Sequence, residues 1–455
     1  MQLHRIESEG LAHFSYLLID GTDALVVDPR RDVDVYLELA AKEEARITRV
    51  LETHRNEDYV IGSMELMEST GAEVLHGPGL DWDYGGIAQD GEKLRLGSLE
   101  IMAIHTPGHT EESMCYALFD RSSGEDAVAV FTGDTLFVGN VGRTDLPGPE
   151  KRERLSRHLF TSIHEKIIPL GDGCMVLPGH GAGSVCGGDI SERPFSTIGL
   201  EKKNNPMLNL SEEDFVRLKM EEQLDRPPYF RRMETLNLRK HAPLQRLPSP
   251  PPLSPKEFKE AQENDTMVLD TRMPHSVAGA YIKGATSIWL DGLPLYGGWL
   301  LPYDRPILLV LDSKEELERA VRILVRIGYD NIIGYLHGGM AQWCREGLTY
   351  ETLPTINVKQ ANEWWKQGNS LFIDPRPRHE REVSHIPGTK HIFVGELESR
   401  LAEIPQMMKK VCICSAGFRG AMAAVMLRNH GFDEVYNVLG GLGAWKAAGY
   451  PIKEK

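Results

Sequence analysis

Long apolar runs are missing from this 455-residue chain. Stretches such as Ile307–Leu311 are far too short to cross a hydrocarbon layer of about 30 Å, so no membrane partner is expected. Basic charge is scarce as well. Lys and Arg number 51 against 66 Asp and Glu, a net charge of -15. The nearest approach to a basic patch, Arg231-Arg232 with Arg239-Lys240, is short and mixed, which excludes a nucleic-acid surface. Cysteine is rare: six residues in a chain this long make no disulfide framework. Two of them form a lone Cys412-x-Cys414 with no second pair to complete a zinc site. The opening MQLHRIESEG has no basic end leading into an apolar core, so no secretory signal is read. A reducing compartment is expected, cytoplasmic or an organelle matrix.

What is present is a core-forming composition, 41% hydrophobic and 26% charged, in a chain long enough for two to four domains. The clearest break is Leu247–Leu253, LPSPPPL, whose four prolines suit a stiff linker. Beyond it the chain repeats itself. Asp270 and Arg272 recur as Asp374 and Arg376, 104 residues on, and GGMAQW from Gly338 recurs as GGLGAW from Gly440, 102 residues on. The expected division is residues 1–246, a linker at 247–254, a first repeat at 255–352 and a second at 353–455. Each repeat alternates apolar strands with amphipathic helices, the pattern of a parallel sheet covered on both faces. In the second repeat SLFID, KVCIC and EVYNV read as strands and Gly420–His430 as a helix. The first 246 residues are richer in short strands (FSYLLID, ALVVD, RVLET, LEIMAIH, VAVFTGD and CMVLPGH), with helical stretches at Val33–Ala45 and Lys151–Ile168.

Four of those strands run into a residue able to bind a metal: His54, His109, Asp134 and His180. Strand ends along one sheet edge converge, so the four could meet. The segments that carry them, THRNEDYVIGS, HTPGHT, TGDTLF and PGH, resemble the metallo-β-lactamase superfamily in order and spacing over most of residues 1–200. GRTDL at Gly142–Leu146 and NPMLNLSEEDF from Asn205 resemble its persulfide dioxygenase branch. The resemblance implies an αββα sandwich. The family's first motif is H-x-H-x-D-H; here it reads His54, Arg55, Asn56, Glu57, Asp58, Tyr59, so two histidines are missing. A dinuclear site would be short of ligands on both ions. His54, His109 and Asp134 survive, and the matching residues of persulfide dioxygenases are iron ligands. Two imidazoles and one carboxylate are the facial triad of non-haem Fe(II) oxygenases. The implied cofactor is one Fe(II), with Zn as the alternative. Asp58 and His180 are expected behind the ligands, and Arg143 at the anionic end of the substrate. His13, His105 and Asp28 read as structural.

The second repeat contains VCICSAGFRGAMAA. An apolar strand runs into Cys414, and the loop Ser415, Ala416, Gly417, Phe418 and Arg419 turns into a helix near Gly420. Loop amides, the helix start and Arg419 would favour a thiolate. With Asp374-Pro375-Arg376, HIPG and GGLGAW this resembles the rhodanese family from Leu353 onward, with Cys414 the nucleophile. Cys-x4-Arg is one residue shorter than the Cys-x5-Arg loop of cysteine phosphatases, which favours sulfur over phosphate. At the matching position the first repeat has Asp312 followed by SKEELE, without glycine or arginine, so it reads as non-catalytic. Cys412 reads as core, and Cys115, Cys174, Cys186 and Cys344 as structural.

The resemblances together imply an α/β multidomain enzyme: a metallo-β-lactamase-fold persulfide dioxygenase, an inactive rhodanese-like domain and an active one. It would oxidise the sulfane sulfur of a small persulfide to sulfite and act as a thiosulfate sulfurtransferase. Its partners would be a persulfide or thiol, O₂, and sulfite or thiosulfate, and a homo-oligomer is left open. The alternatives are a zinc-dependent thioester or lactone hydrolase joined to a sulfurtransferase, and a sulfur carrier with a dead metal domain.

Overall fold

Strands in the N-terminal part alternate between two apolar faces, so both faces of each sheet require cover. In His13–Asp20, Tyr16 and Leu18 join one buried cluster while Leu17 and Ile19 join another. The computed structural model describes every residue except Val185, Gly188, Asp189 and Pro194. The chain divides into one unit of Met1–Leu247 with Val325–Gly328, and a second of Pro248–Leu324 with Tyr329–Lys455.

In the first unit, β1 (Gln2–Ser8), β2 (His13–Asp20), β3 (Asp23–Val27), β4 (Arg46–Leu51), β5 (Glu73–His76) and β6 (Gly86–Ile87) form one sheet in that order. A second sheet runs in order through β7 (Lys93–Leu96), β8 (Leu99–His105), β9 (Met114–Phe119), β10 (Ala127–Gly133), β11 (Met175–Pro178) and β12 (Ser196–Thr197). Their facing surfaces share one core, in which Leu25, Val27 and Leu51 meet Ile101, Tyr116 and Phe131. The outer face of the first sheet packs on the helices Asp34–Lys42 and Ser63–Thr70. The outer face of the second packs on Pro149–Thr161, Ile198–Asn204 and Glu212–Glu221. This is the αββα sandwich of the metallo-β-lactamase fold. No helix among the described residues is long and apolar enough to cross a membrane.

The second unit contains two all-parallel sheets with the same strand order. The first has β13 (Pro252–Leu253), β14 (Met267–Asp270), β15 (Thr286–Ser287), β16 (Ile307–Val310) and β17 (Ile332–Leu336), ordered β13-β17-β16-β14-β15. The second has β18 (Thr355–Ile356), β19 (Ser370–Asp374), β21 (Lys390–His391), β22 (Lys409–Cys412) and β23 (Val435–Val438), ordered β18-β23-β22-β19-β21. In a separate two-stranded pair, β20 (Ser384–His385) runs antiparallel to β24 (Lys453–Glu454). The end of the proline-rich stretch is an edge strand: Tyr335 and His337 donate their amides to the carbonyls of Pro251 and Leu253 at 3.1 and 2.8 Å. Proline is tolerated there because an edge strand need not donate on its free side.

The repeated motifs do the same structural work twice. Arg272 closes two hydrogen bonds on Asp270 at 2.8 and 2.6 Å, and Arg376 does so on Asp374 at 2.9 and 2.7 Å. Trp343 and Trp445 are each buried, with the indole N–H on the carbonyl of Thr349 or Pro451 at 2.9 Å. Trp445 contacts no solvent and packs with Phe372, Val411 and Ile413. Trp445→Ala is expected to destabilise the second unit by about 3–5 kcal/mol. Urea unfolding followed by circular dichroism should show one part of the transition moving to lower urea. Cys344 is exposed, and Cys344→Ala should shift nothing by more than about 0.5 kcal/mol.

Candidate metal centre and sulfur cradle

Four loops at strand ends build the first site. The structure corrects their origin: His54 follows β4 of the first sheet, whereas His109, Asp134 and His180 follow β8, β10 and β11 of the second. The residues converge from both layers of the sandwich and not along one sheet edge. His54, His109 and Asp134 are fully buried, and their donor atoms lie within 4.8 Å of one another. Asp134 Oδ2 is 3.8 Å from His54 Nε2 and 3.6 Å from His109 Nε2. None of these three atoms has a hydrogen-bond partner. Leaving a buried polar atom unpaired costs about 1–3 kcal/mol, so three converging on one point fit a cation held between them. Burial lowers the His54 imidazole to about 4. Burial opposes the charge on Asp134, but His180, His54 and His109 hold its carboxyl below the usual range.

The ring orientations are set from behind. The Thr53 hydroxyl donates to Asp28 Oδ2 at 2.7 Å, and the Thr53 amide donates to Asp28 Oδ1 at 2.8 Å. With its proton committed to the carboxylate, that hydroxyl accepts from His54 Nδ1 at 2.9 Å. His109 Nδ1 donates to the Arg143 carbonyl at 2.8 Å. Both rings therefore turn a bare Nε2 to the centre, the tautomer a metal requires. His180 bridges Asp134 Oδ1 at 2.7 Å and Asp58 Oδ2 at 3.0 Å. That places His180 and Asp58 behind the three donors. Asp28 sits at φ 47° and acts through Thr53, a link the sequence shows only as a turn carboxylate.

Arg143 is a correction. Its guanidinium is buried, makes two hydrogen bonds of 2.7 Å to Asp145, and also donates to the carbonyls of Asp225 and Leu224 at 3.0 and 3.4 Å. It has no face left for a substrate anion; its backbone, not its charge, serves the site. The two positions without histidine are also accounted for. Asn56 turns its amide to the His54 carbonyl at 3.2 Å, and Tyr59 packs on His13 with ring centroids 3.9 Å apart and the planes tilted by 33°. Asn237, which carries no sequence signal, pins this loop by donating to the carbonyls of Asn56 and Tyr59 at 2.6 and 2.8 Å. Cys186, read as structural, has its sulfur within 4.8 Å of donor atoms of Asp58 and His180. One further residue went unread in the sequence. Glu57 is wholly buried, 3.9 Å from His54 Nε2 and 3.8 Å from His109 Nε2. Its place inside the altered histidine motif is the signal that could have found it.

The second site is the loop after β22. The Gly417 amide points at Cys414 Sγ at 3.1 Å. Gly417 takes φ 103°, a conformation other residues resist, and the helix Phe418–Asn429 begins there. Ala416 lies within the same turn, and Gly420 packs where a Cβ would meet Asn437 and the Cys412 carbonyl. The GGLGAW motif clamps the loop: Leu442 and Gly443 donate their amides to the carbonyls of Cys414 and Ser415 at 2.7 and 3.0 Å. Arg419 is paired with Glu380, and its Nη2 reaches Glu380 Oε2 and Ser415 Oγ, both at 2.9 Å. Burial works against the Arg419 charge, but the Glu380 carboxylate holds it on. Two residues of the first repeat border this loop. Trp289 packs edge-on against Phe418 with centroids 5.1 Å apart, and Tyr296 lies beside Arg419. In the first repeat Asp312 occupies the matching position and accepts from the Met273 amide at 2.7 Å and Ser276 Oγ at 2.8 Å. A carboxylate there ties a helix start and offers no thiol to carry sulfur.

Comparison with known proteins agrees with this geometry. Residues 9–180 match the metallo-beta-lactamase superfamily, and residues 254–346 and 357–448 each match the rhodanese-like domain. The chain belongs to the metallo-beta-lactamase superfamily and carries two rhodanese-like domains behind that fold. It is 32% identical over 222 residues to an uncharacterized protein of Mycobacterium leprae, covering 42% of this chain and 92% of that one. The mitochondrial persulfide dioxygenase ETHE1 of Bos taurus is 29% identical over 226 residues, 47% of this chain and 78% of that one. The hydroxyacylglutathione hydrolase GloC of Haemophilus influenzae is 26% identical over 216 residues, 42% of this chain and 89% of that one. A crystal structure titled metallo-beta-lactamase from Staphylococcus aureus subsp. aureus COL superposes with a TM-score of 0.66 at 28% identity, covering 74% of this chain and 98% of that one.

Two substitutions test the supports rather than the reacting groups. Thr53→Val removes the acceptor for His54 Nδ1 and should weaken metal binding about 10–100-fold in chelator competition. A Cβ on Gly441, which sits at φ 51°, would collide with the Cys414 carbonyl. Gly441→Ala should therefore displace the loop and cut sulfurtransferase turnover by about a hundredfold.

Proposed function

We propose that this protein oxidises the sulfane sulfur of a low-molecular-weight persulfide at a mononuclear iron site and transfers sulfane sulfur through Cys414. The observation that carries the first half is the set of three buried, partnerless donor atoms on His54, His109 and Asp134. Two imidazoles and a carboxylate leave open positions on an octahedral ion, the arrangement of oxygen-using Fe(II) enzymes. Iron held there by His54, His109 and Asp134 would supply the activation of O₂, and the four electrons that reduce O₂ come from the sulfane sulfur. Overall, R–S–SH, O₂ and water give R–SH and sulfite with two protons. The chain's part is to present both Nε2 lone pairs through Thr53 and the Arg143 carbonyl, and to keep Asp134 ionised and oriented through His180. The likeness to ETHE1 supports this assignment.

At the second site the Gly417 amide points at Cys414 Sγ and is placed to donate to a sulfur carried on that residue. A Cys414 persulfide attacked by sulfite breaks its S–S bond, forms thiosulfate and releases the Cys414 thiolate. The same step run backwards loads Cys414 from thiosulfate. Sulfite is thus the product of one site and the sulfur acceptor at the other.

A second reading, a zinc-dependent thioester hydrolase, is favoured by one observation. Asp58, His180 and Cys186 form a further group able to hold a cation, and Asp58 Oδ1 is buried without a partner. Protein purified without oxygen separates the two. Iron near one per chain and O₂ uptake on glutathione persulfide, lost in His109→Ala, support the oxygenase. Two zinc ions and anaerobic thioester cleavage would support the hydrolase instead. Cys414→Ser should abolish thiosulfate sulfurtransferase activity, whereas Asp312→Ala should leave it unchanged. Activity retained without the Cys414 thiol would remove that residue from its role.

A further inference from the structure

The segment Cys414–Gly420 holds one cationic side chain, Arg419, and one hydroxyl, Ser415. A carboxylate from outside the segment engages both. Glu380 stands on the helix Arg378–Val383. Arg419 Nη1 donates to Glu380 Oε1 and its Nη2 donates to Oε2 at 2.9 Å, the two-point geometry in which a guanidinium pairs most strongly. Ser415 Oγ donates to the same Oε2 at 2.9 Å and accepts from Arg419 Nη2 at 2.9 Å, which closes a triangle. Burial opposes the charge on Glu380, but Arg419 and Ser415 hold its carboxyl below the usual range, so it stays ionised at neutral pH. The loop group aimed at Cys414 Sγ is the uncharged Gly417 amide, at 3.1 Å. In the first repeat, 104 residues earlier, the position of Glu380 is held by Ser276, which donates to Asp312 at 2.8 Å. The carboxylate thus accompanies the arginine and is missing from the copy that lacks it. An anion arriving at the loop meets a guanidinium whose charge is already offset, with a carboxylate beside it. Repulsion from that carboxylate scales with the charge of the anion, so a dianion is disfavoured more than a monoanion.

We propose that Glu380 is a specificity-determining residue of the Cys414 site: it offsets the loop's cation, so that sulfur donors with one negative charge at the reacting end load Cys414 in preference to dianions. The inference rests on the reading of Cys414 as the sulfur carrier and adds which donor loads it. With a persulfide R–S–SH, the Cys414 thiolate attacks the outer sulfur. An S–S bond forms to Cys414, the donor's S–S bond breaks, and R–S⁻ leaves with the electron pair while the outer sulfur keeps its proton. With thiosulfate the same exchange releases sulfite, and donor and leaving group are both dianions. Thiosulfate formed at this site finds its loop cation already paired, which favours its release as a product.

The test compares two donors that present the same kind of sulfane sulfur with different charge: thiosulfate, a dianion, and methanethiosulfonate, a monoanion. Cyanide is the acceptor and the full chain the enzyme. Glu380→Gln keeps the shape and removes the charge. It should raise kcat/KM for thiosulfate about tenfold more than for methanethiosulfonate, whereas Glu380→Asp, which keeps the charge, should keep the wild-type ratio. A Glu380 that only braces the loop would lower both donors together in Glu380→Gln; equal changes, or a fall for thiosulfate alone, would overturn the inference. Salt dependence of the wild-type chain needs no variant and decides the matter should Glu380→Gln fail to fold. Thiosulfate kcat/KM is expected to stay level or rise with added salt. A steep fall, absent for methanethiosulfonate, would reveal an unpaired cation at work and overturn the proposal. Cys414→Ser should lose turnover with both donors; turnover kept there would overturn the Cys414 reading and this inference with it.

Discussion

Three polar atoms closed off from water and from every hydrogen-bond partner are the constraint around which the first unit is organised. His54 Nε2, His109 Nε2 and Asp134 Oδ2 meet at one point, each delivered by a different strand end. A cation held between them would repay that desolvation. The surrounding contacts make sense as supports for it. Asp28 orients Thr53, Thr53 orients His54, and the Arg143 carbonyl orients His109. Asn237 holds the loop that carries His54 by its carbonyl groups. Because the donors come from both sheets, the packing of the sandwich is itself part of the site.

The second rhodanese-like domain uses a different device. Here a single thiol is set in a turn whose amide points at it, and the turn is held by hydrogen bonds from the glycine motif that follows. The arginine beside it is paired with Glu380, so an incoming anion meets a guanidinium already engaged with a carboxylate. The first repeat keeps the scaffold and has Asp312 where the second has Cys414. Its Asp270–Arg272 pair and buried Trp343 match those of the second repeat, while Asp312 ties down a helix start. It contributes Trp289 and Tyr296 to the surroundings of the second repeat's loop.

Much of this was legible in the residues alone. The alternation that marks β2, β8 and β10, the duplicated Asp-x-Arg and Gly-Gly motifs, and the cysteine loop all depend on short-range pattern, and short-range pattern survives in one dimension. The donors His54, His109 and Asp134 could be picked out because each follows an apolar strand. Arg143 was misread because an arginine near a predicted site says nothing about where its guanidinium goes; Asp145 and two carbonyls some eighty residues away take it. Cys186 was passed over for the converse reason. No local motif surrounds it, and only folding brings it beside Asp58 and His180.

The amino-acid order by itself determined the strand and helix pattern, the duplication, the cysteine loop and the types of donor available, because these follow from periodicity and from neighbours along the chain. Tertiary structure alone decided that the donors come from two sheets, that Glu57 turns inward while Asn56 turns away, and that Arg143 is consumed by its own neighbours. Those outcomes depend on side-chain direction and on competition between partners distant in sequence, and neither is encoded at any single position.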